Sequence, residues 1–224
     1  MRVLLVFSAL VSLAVPAATS AAPAAVAGAG EYLVAHPQHP LPLLAAPGGR
    51  VVATVRPRTI FGSPSAVSVV ARRGHWLEVT SELLPNGRLA WLDGSRVPVA
   101  AVRFSVRVDL AERLLEVLDR SRVVRRIPVA VGAPASPTPP GRYSITDKLA
   151  GAEFGAVYGC CILAVSGHQP HPPPGWSRSE EWRLAIHGGG GIGSAVSAGC
   201  LHAGEADLRY LVRTLPRGTP VFVR

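Results

Sequence analysis

Polarity along the chain falls into three regimes. Behind Arg2, a mainly apolar run extends from Val3 to Val15 and closes on Pro16 and small residues. From Glu31 to Val99, short apolar runs (VVATV, SAVSVVA, HWLEV, RLAWL) alternate with Pro-Gly-Gly, Gly-Ser-Pro and Pro-Asn-Gly. Apolar runs of that length between such breakers predict short β-strands closing into a small barrel or sandwich. In the third regime Val102–Val108 alternates and predicts a strand, whereas the spacing over Leu110–Leu118 suits a helix or a strand. The following Asp119-Arg120-Ser121 turn, with Val123-Val124 and Ile127–Val131 beyond it, favours a hairpin. Pro137–Gly141 reads as a loop entering a further strand through Ile145. Leu208, Leu211, Val212 and Leu215 recur at i, i+3, i+4 and i+7, which predicts a helix stopped by Pro216 and Gly218 before a strand over Thr219–Val223. The chain is therefore expected to be mostly β, in two units, with few helices.

The first regime bears on location. A bilayer span takes about 20 apolar residues, and the run from Val3 stops short of that at Val15. Residues 1–20 read as a secretory signal peptide, with cleavage expected between Ser20 and Ala25. Residues 21–30 form a small-residue linker. No second apolar stretch of spanning length follows, so the expected location is extracytoplasmic, with no stable membrane span after cleavage.

Composition adds the partner class. The 224 residues are 48% hydrophobic and 17% charged, which excludes disorder as the dominant state. Twenty-three Lys+Arg against 14 Asp+Glu give +9, and Lys148 is the only lysine. Such a surface suits an anionic partner. No basic run or aromatic-basic interleaving marks a nucleic-acid groove, so an anionic cell-wall polymer is the expected class. The three cysteines, Cys160, Cys161 and Cys200, leave at least one thiol unpaired within a monomer. Adjacent cysteines on a strand face opposite ways, which predicts one core and one less buried residue, with a vicinal disulfide as the alternative.

Gly74-His75-Trp76-Leu77-Glu78-Val79 followed by Asn86-Gly87-Arg88-Leu89-Ala90-Trp91-Leu92 is similar to the closing hairpin of a bacterial SH3-like barrel. The resemblance implies an SH3-like domain over residues 31–99, with a role in wall binding or spacing. Trp76 and Trp91 are either plain core or a ligand platform.

Chemistry concentrates in residues 184–202, LAIHGGGGIGSAVSAGCLH. Gly188, Gly190 and Gly193, with Asp207 downstream, satisfy a dinucleotide fingerprint in form only, because Gly199 interrupts the long helix that fingerprint must open. Zinc is the next alternative, through His168, His171, His187, Cys200 and His202, but neither Cys-x-x-Cys nor His-x3–5-His spacing surrounds Cys200. His168 and His171 sit in the Pro-rich stretch 168–176 and are expected to be solvated. A cysteine nucleophile needs a base within reach, a suitable thiol environment and donors for an oxyanion. His187 at a strand end, flexible glycines and the Ser197-Ala198-Gly199-Cys200 turn can supply them.

His187-Gly188…Gly193…Ser197-x-Gly199-Cys200 resembles the active-site signature of the L,D-transpeptidase (YkuD-type) catalytic domain. Thr138-Pro139-x-Gly141, Tyr158-Gly159, Asp207…Leu211 and Gly218-Thr219-Pro220-Val221 resemble further elements of that family in the same order. The resemblance implies a β-sandwich-like catalytic domain over 102–224 that acts on peptidoglycan stem peptides. Cys200 would be the nucleophile, forming a thioester, and His187 the general base. Ser197 would orient the turn, and the Gly199 and Cys200 N–H groups would hold the oxyanion. Tyr158, Gly188 and His202 would line the substrate site. No metal or organic cofactor is implied. The chain departs from the family at Ala198, where a larger polar residue is usual, and at His202, where Arg or Asn is common. Other classes consistent with the sequence are a non-catalytic wall-binding protein and a zinc-dependent wall hydrolase.

Overall fold

The computed structural model describes residues 28–173 and 182–224. The signal peptide, most of the linker and the end of the Pro-rich stretch lie outside the described residues.

The first unit contains β1 (Tyr32–Ala35), β2 (Leu41–Leu44), β3 (Val51–Val55), β4 (Val67–Arg73), β5 (Trp76–Val79), β6 (Ala90–Asp93) and β7 (Val99–Val102). They form one sheet in the order β3-β2-β6-β5-β4-β1-β7. Alternation along the strands sends Leu41, Leu43, Val69, Leu77, Val79 and Leu92 into a common core. In the predicted hairpin, Leu77 pairs with Leu92 and Glu78 with Trp91. Because Leu77 and Leu92 take the inward positions, Trp76 and Trp91 are half-buried on the other face, with the Arg73 guanidinium 5.6 Å from the Trp91 ring. The plain-core reading of the two tryptophans is thereby corrected.

The second unit contains β8 (Phe104–Asp109), β9 (Leu114–Asp119), β10 (Arg122–Pro128), β11 (Val131–Gly132), β12 (Gly141–Ala150), β13 (Cys161–His168), β14 (Arg183–His187), β15 (Ala195–Ser197), β16 (Leu201–His202), the helix α1 (Glu205–Thr214) and β17 (Pro220–Val223). Its main sheet runs β10-β9-β8-β17-β12-β13-β14-β16, and β11 pairs with β15. Leu208 and Leu211 on α1 are fully buried and join Tyr143, Ile145, Leu163 and Ile186 in the core. Two ambiguities of the sequence are resolved here. Leu115 and Val117 both point inward, so Leu114–Asp119 is a strand, and it pairs with β10 through a turn with Arg120 and Ser121 at positive φ. The strand expected over Val102–Val108 breaks at Arg103: β7 pairs with β1 in one sheet and β8 with β17 in the other.

The cysteine reading also changes. Cys160 and Cys161 form a vicinal disulfide, both half-buried, and Cys200 is the free thiol. His168 is not a solvated loop residue. It ends β13, and its Nε2 donates to the Glu82 carbonyl at 2.8 Å. The two units meet through polar contacts, among them Thr80 Oγ1 to Ser144 Oγ at 3.1 Å and Arg142 Nη2 to the Val69 carbonyl at 3.2 Å. No helix among the described residues is long and apolar enough to cross a membrane.

Candidate active site

β14 and β16 run parallel, with Ile186 opposite Leu201 and His187 opposite His202. That register fixes the site, because it brings the strand end carrying His187 beside the turn carrying Cys200. β14 is buried along its whole length, and His187 is only 6% exposed. Beyond it the chain passes so close to the Tyr158–Gly159 segment that a Cβ on Gly188 would stand 2.8 Å from the Gly159 backbone. Gly188 N–H donates to the Tyr158 carbonyl at 2.8 Å, and the Tyr158 ring lies edge-on to His187 at 4.8 Å.

His187 Nδ1 bonds to the Gly188 carbonyl. A carbonyl only accepts, so Nδ1 carries the proton and Nε2 keeps its lone pair. Burial brings the imidazole down from 6.5 to about 4; the bond to Gly188 opposes this and the nearby His202 adds to it. His187 is thus a neutral imidazole near pH 7. The His202 ring lies 4.9 Å from that of His187, and its Nδ1 donates to the Gly190 carbonyl at 2.9 Å.

The turn before Cys200 is held by its carbonyls. Gln169 Nε2 donates to the Ala198 carbonyl at 2.8 Å, Thr138 Oγ1 to the Gly199 carbonyl at 2.8 Å, and Ser197 Oγ to the Cys200 carbonyl at 2.6 Å. Three successive carbonyls are thereby fixed by three side chains from different segments. In a trans peptide the N–H points opposite to the carbonyl, so the Thr138 bond sets the direction of the Cys200 N–H. Gly199 has φ of 117°, a conformation that glycine adopts without a Cβ penalty. Its N–H donates to Ser197 Oγ at 3.1 Å. This corrects one expectation: the Gly199 N–H is committed inside the turn, leaving the Cys200 N–H as the turn's candidate oxyanion donor.

The Cys200 thiol donates to the Arg183 carbonyl at 4.0 Å, not to His187. Burial pushes it up from 9.0 to about 11, against a hydrogen bond from the Ala185 backbone. At rest the site therefore holds a neutral thiol and a neutral imidazole, with no hydrogen bond joining them.

The structure brings together His187, Gly188, Tyr158, Ser197, Gly199, Cys200 and His202. Asp207 pairs with Arg125 at 2.6 Å. Among the described residues no three His, Cys, Asp or Glu side chains form a group able to hold a metal. Sequence reasoning missed Gln169, which is 5% exposed; a glutamine closing the mostly apolar run of β13 was the available signal. It also missed the buried pair Asp147–Arg183, whose charges stand 3.6 Å apart with side chains 0% and 4% exposed. Thr138 was noticed only as part of a motif.

The curated YkuD protein of Bacillus licheniformis is 28% identical over 142 residues, covering 61% of this chain and 74% of that protein. The Bacillus subtilis YkuD protein is 26% identical over 127 residues, covering 54% of this chain and 66% of that protein. Among solved structures, an L,D-transpeptidase from Mycobacterium smegmatis aligns over 71% of this chain and 90% of its own, at 14% identity and a TM-score of 0.44. A mutant of the Enterococcus faecium L,D-transpeptidase aligns over 55% and 50%, at 18% identity and a TM-score of 0.42. The sequence profile of the YkuD family, the L,D-transpeptidase catalytic domain, matches residues 103–223. That is more than half of the chain, which therefore belongs to the YkuD family of L,D-transpeptidase catalytic domains.

Proposed function

We propose that the protein is an exported cysteine L,D-transpeptidase of peptidoglycan stem peptides, with Cys200 as the nucleophile. The observation that carries this reading is the turn 197–200: a free thiol sits on a turn whose Ala198, Gly199 and Cys200 carbonyls are all fixed, beside a strand ending in an imidazole with an unprotonated Nε2. In the proposed reaction Cys200 Sγ turns from the Arg183 carbonyl and attacks the carbonyl of the L-centred third residue of a stem. The thiol proton passes to His187 Nε2 as the C–S bond forms. Because thiol and imidazole both start neutral, this transfer accompanies attack instead of preceding it. The Cys200 N–H holds the oxyanion. Collapse of the tetrahedral species breaks the peptide bond, and the departing D-residue takes the proton from His187 as an amine. An acceptor amine, or water, then attacks the thioester and gives its proton to His187, which passes it to the Cys200 sulfur as the C–S bond breaks.

Ser197 acts through its two hydrogen bonds as a positioning group, and Tyr158, Gly188 and His202 line the approach. The N-terminal unit, read as an SH3-like module, and the net charge of +9 suit retention on an anionic wall. The test is incubation with a carbapenem, a β-lactam that acylates a competent cysteine. Intact-mass spectrometry should show one adduct on the wild type and none on Cys200→Ala. An unmodified wild type would favour a non-catalytic wall-binding protein.

A further inference from the structure

The geometry points to Gln169 as a positioning residue of the nucleophile turn, held in turn by Asn86 of the N-terminal unit; the inference rests on the reading of Cys200 as nucleophile. Gln169 directly follows β13, and its amide nitrogen faces the carbonyls of Ser136 and Pro137, each at 3.2 Å, as well as that of Ala198 at 2.8 Å. Its own carbonyl accepts the His171 N–H at 3.0 Å, so both ends of the amide are engaged. Of these three acceptors sharing two N–H groups, the Ala198 carbonyl is the nearest. By fixing that carbonyl, Gln169 fixes the peptide plane leading into Gly199 and turns the Gly199 N–H toward Ser197. The fit is close: a Cβ on Gly199 would overlap the Gln169 side chain.

Gln169 is anchored from the other unit. The Asn86 side chain pairs with both backbone groups of His168, donating to its carbonyl at 2.7 Å and accepting from its N–H at 2.8 Å. The His168 ring is bonded to the Glu82 carbonyl of the same N-terminal turn region. Asn86 thus completes the edge of β13 immediately before Gln169, much as a strand partner would. The Pro-Asn-Gly turn of the N-terminal unit is in this way joined to the Cys200 turn by a continuous path: Asn86, His168, Gln169, Ala198. On this reading the N-terminal unit is a structural part of the catalytic site as well as an appendage for wall binding.

The test compares Gln169→Leu, Gln169→Glu and Asn86→Ala in the full chain, following carbapenem acylation of Cys200 at several concentrations between pH 5.5 and 7.5. Gln169→Leu keeps the approximate size and loses the donor, so the limiting acylation rate should fall about tenfold with half-saturation changed less than twofold. Asn86→Ala should fall about threefold in the same way. A protonated carboxyl can donate one hydrogen bond and a carboxylate none, so Gln169→Glu should recover toward wild type on acidification while Gln169→Leu does not. Amide resonances of Gly199 and Cys200 should shift in Asn86→Ala. Wild-type rates in Gln169→Leu, or a Gln169→Glu profile that follows the leucine variant at every pH, would overturn the role of Gln169. Unmoved amide resonances in Asn86→Ala would overturn the inter-unit link without reference to activity. Should Gln169→Leu not fold, the pH recovery of Gln169→Glu decides the matter. Absence of acylation in the wild type would instead count against the transpeptidase reading, and the amide resonances would still test the path.

Discussion

The imidazoles of His187 and His202 stand 4.9 Å apart, each committing Nδ1 to a glycine carbonyl of the same loop, Gly188 and Gly190. Both rings therefore keep Nε2 as the free nitrogen when neutral. The His202 ring packs on the proposed base.

The sign of that contact is testable. A positive charge on His202 disfavours a second one on His187 and adds to the lowering caused by burial. His202→Arg keeps a positive charge at that position and should leave the acid limb of the acylation profile where it is. His202→Phe keeps an aromatic neighbour without the charge and should move the limb upward. The measurement is the pH dependence of carbapenem acylation, with an NMR titration of His187 alongside. Identical limbs in both variants would remove His202 from the electrostatics of the site.

Thr138 offers a cleaner probe of the oxyanion donor. Its hydroxyl accepts the Gly132 N–H at 2.8 Å and donates to the Gly199 carbonyl at 2.8 Å. Thr138→Val preserves shape and deletes both bonds, leaving buried groups unpaired at a cost of about 1–3 kcal/mol of stability. Because the Gly199 carbonyl sets the Cys200 N–H on the other side of the same peptide plane, acylation should also fall, by roughly 10- to 100-fold. Urea unfolding and acylation rates measure the two losses separately. A stability loss with unchanged acylation would show that the Cys200 N–H needs no such support.

How much of this was legible in the sequence depends on distance along the chain. The α1 pattern and the Arg120–Ser121 hairpin are local, and the residues announced them through periodicity and turn chemistry. His187 and Cys200 were legible because their neighbours, Gly188 and the Ser197-x-Gly199 turn, are themselves specific. The roles of Thr138 and Gln169 were hidden, because each acts on a carbonyl that is remote in sequence, and any residue can offer a carbonyl. The state of Cys160 and Cys161 was equally hidden. A regular strand would separate their side chains, but a turn comes between the Ala156–Tyr158 helical turn and β13, and Gly159 there has φ of 68°. The face taken by Trp76 and Trp91 stayed open for a simpler reason: a strand has two faces, and hydrophobicity alone does not say that Leu77 and Leu92 will win the inner one.

The pair Asp147–Arg183 should carry much of the attachment of the first unit to β14. Asp147 accepts the Thr59 hydroxyl, and Arg183 donates to Thr146 and to the Val165 carbonyl, with Phe61 5.8 Å from the guanidinium. Both charges are removed from water, so losing one partner leaves the other uncompensated. Arg183→Met should cost about 3–5 kcal/mol. Adding Asp147→Leu should return most of that loss, since the orphaned carboxylate is then gone. Urea unfolding of the two single variants and the double variant gives the coupling directly. Additive losses would mean that the charges do not depend on each other.

The Cys200 thiol separates two routes to reaction. Burial holds it protonated up to about pH 11, so a small alkylating agent that reacts only with thiolate meets a minute fraction of the reactive form near neutrality. The thiolate fraction rises tenfold per pH unit below the pKa, and alkylation by iodoacetamide should climb by about that factor per unit from pH 7 to pH 9. Carbapenem acylation uses His187 Nε2 as the proton acceptor in the proposed mechanism, and that nitrogen is free once the pH is well above about 4. Acylation should therefore be nearly level between pH 6 and pH 8 while alkylation is still rising. His187→Ala should abolish the level region and make acylation follow the thiolate fraction instead. Cys160 and Cys161 are bonded to each other, so mass spectrometry should find a single labelled residue, and Cys200→Ala should take up neither reagent. If acylation and alkylation rose in parallel in the wild type, Cys200 would react as a preformed thiolate, and His187 would lose its place as the general base.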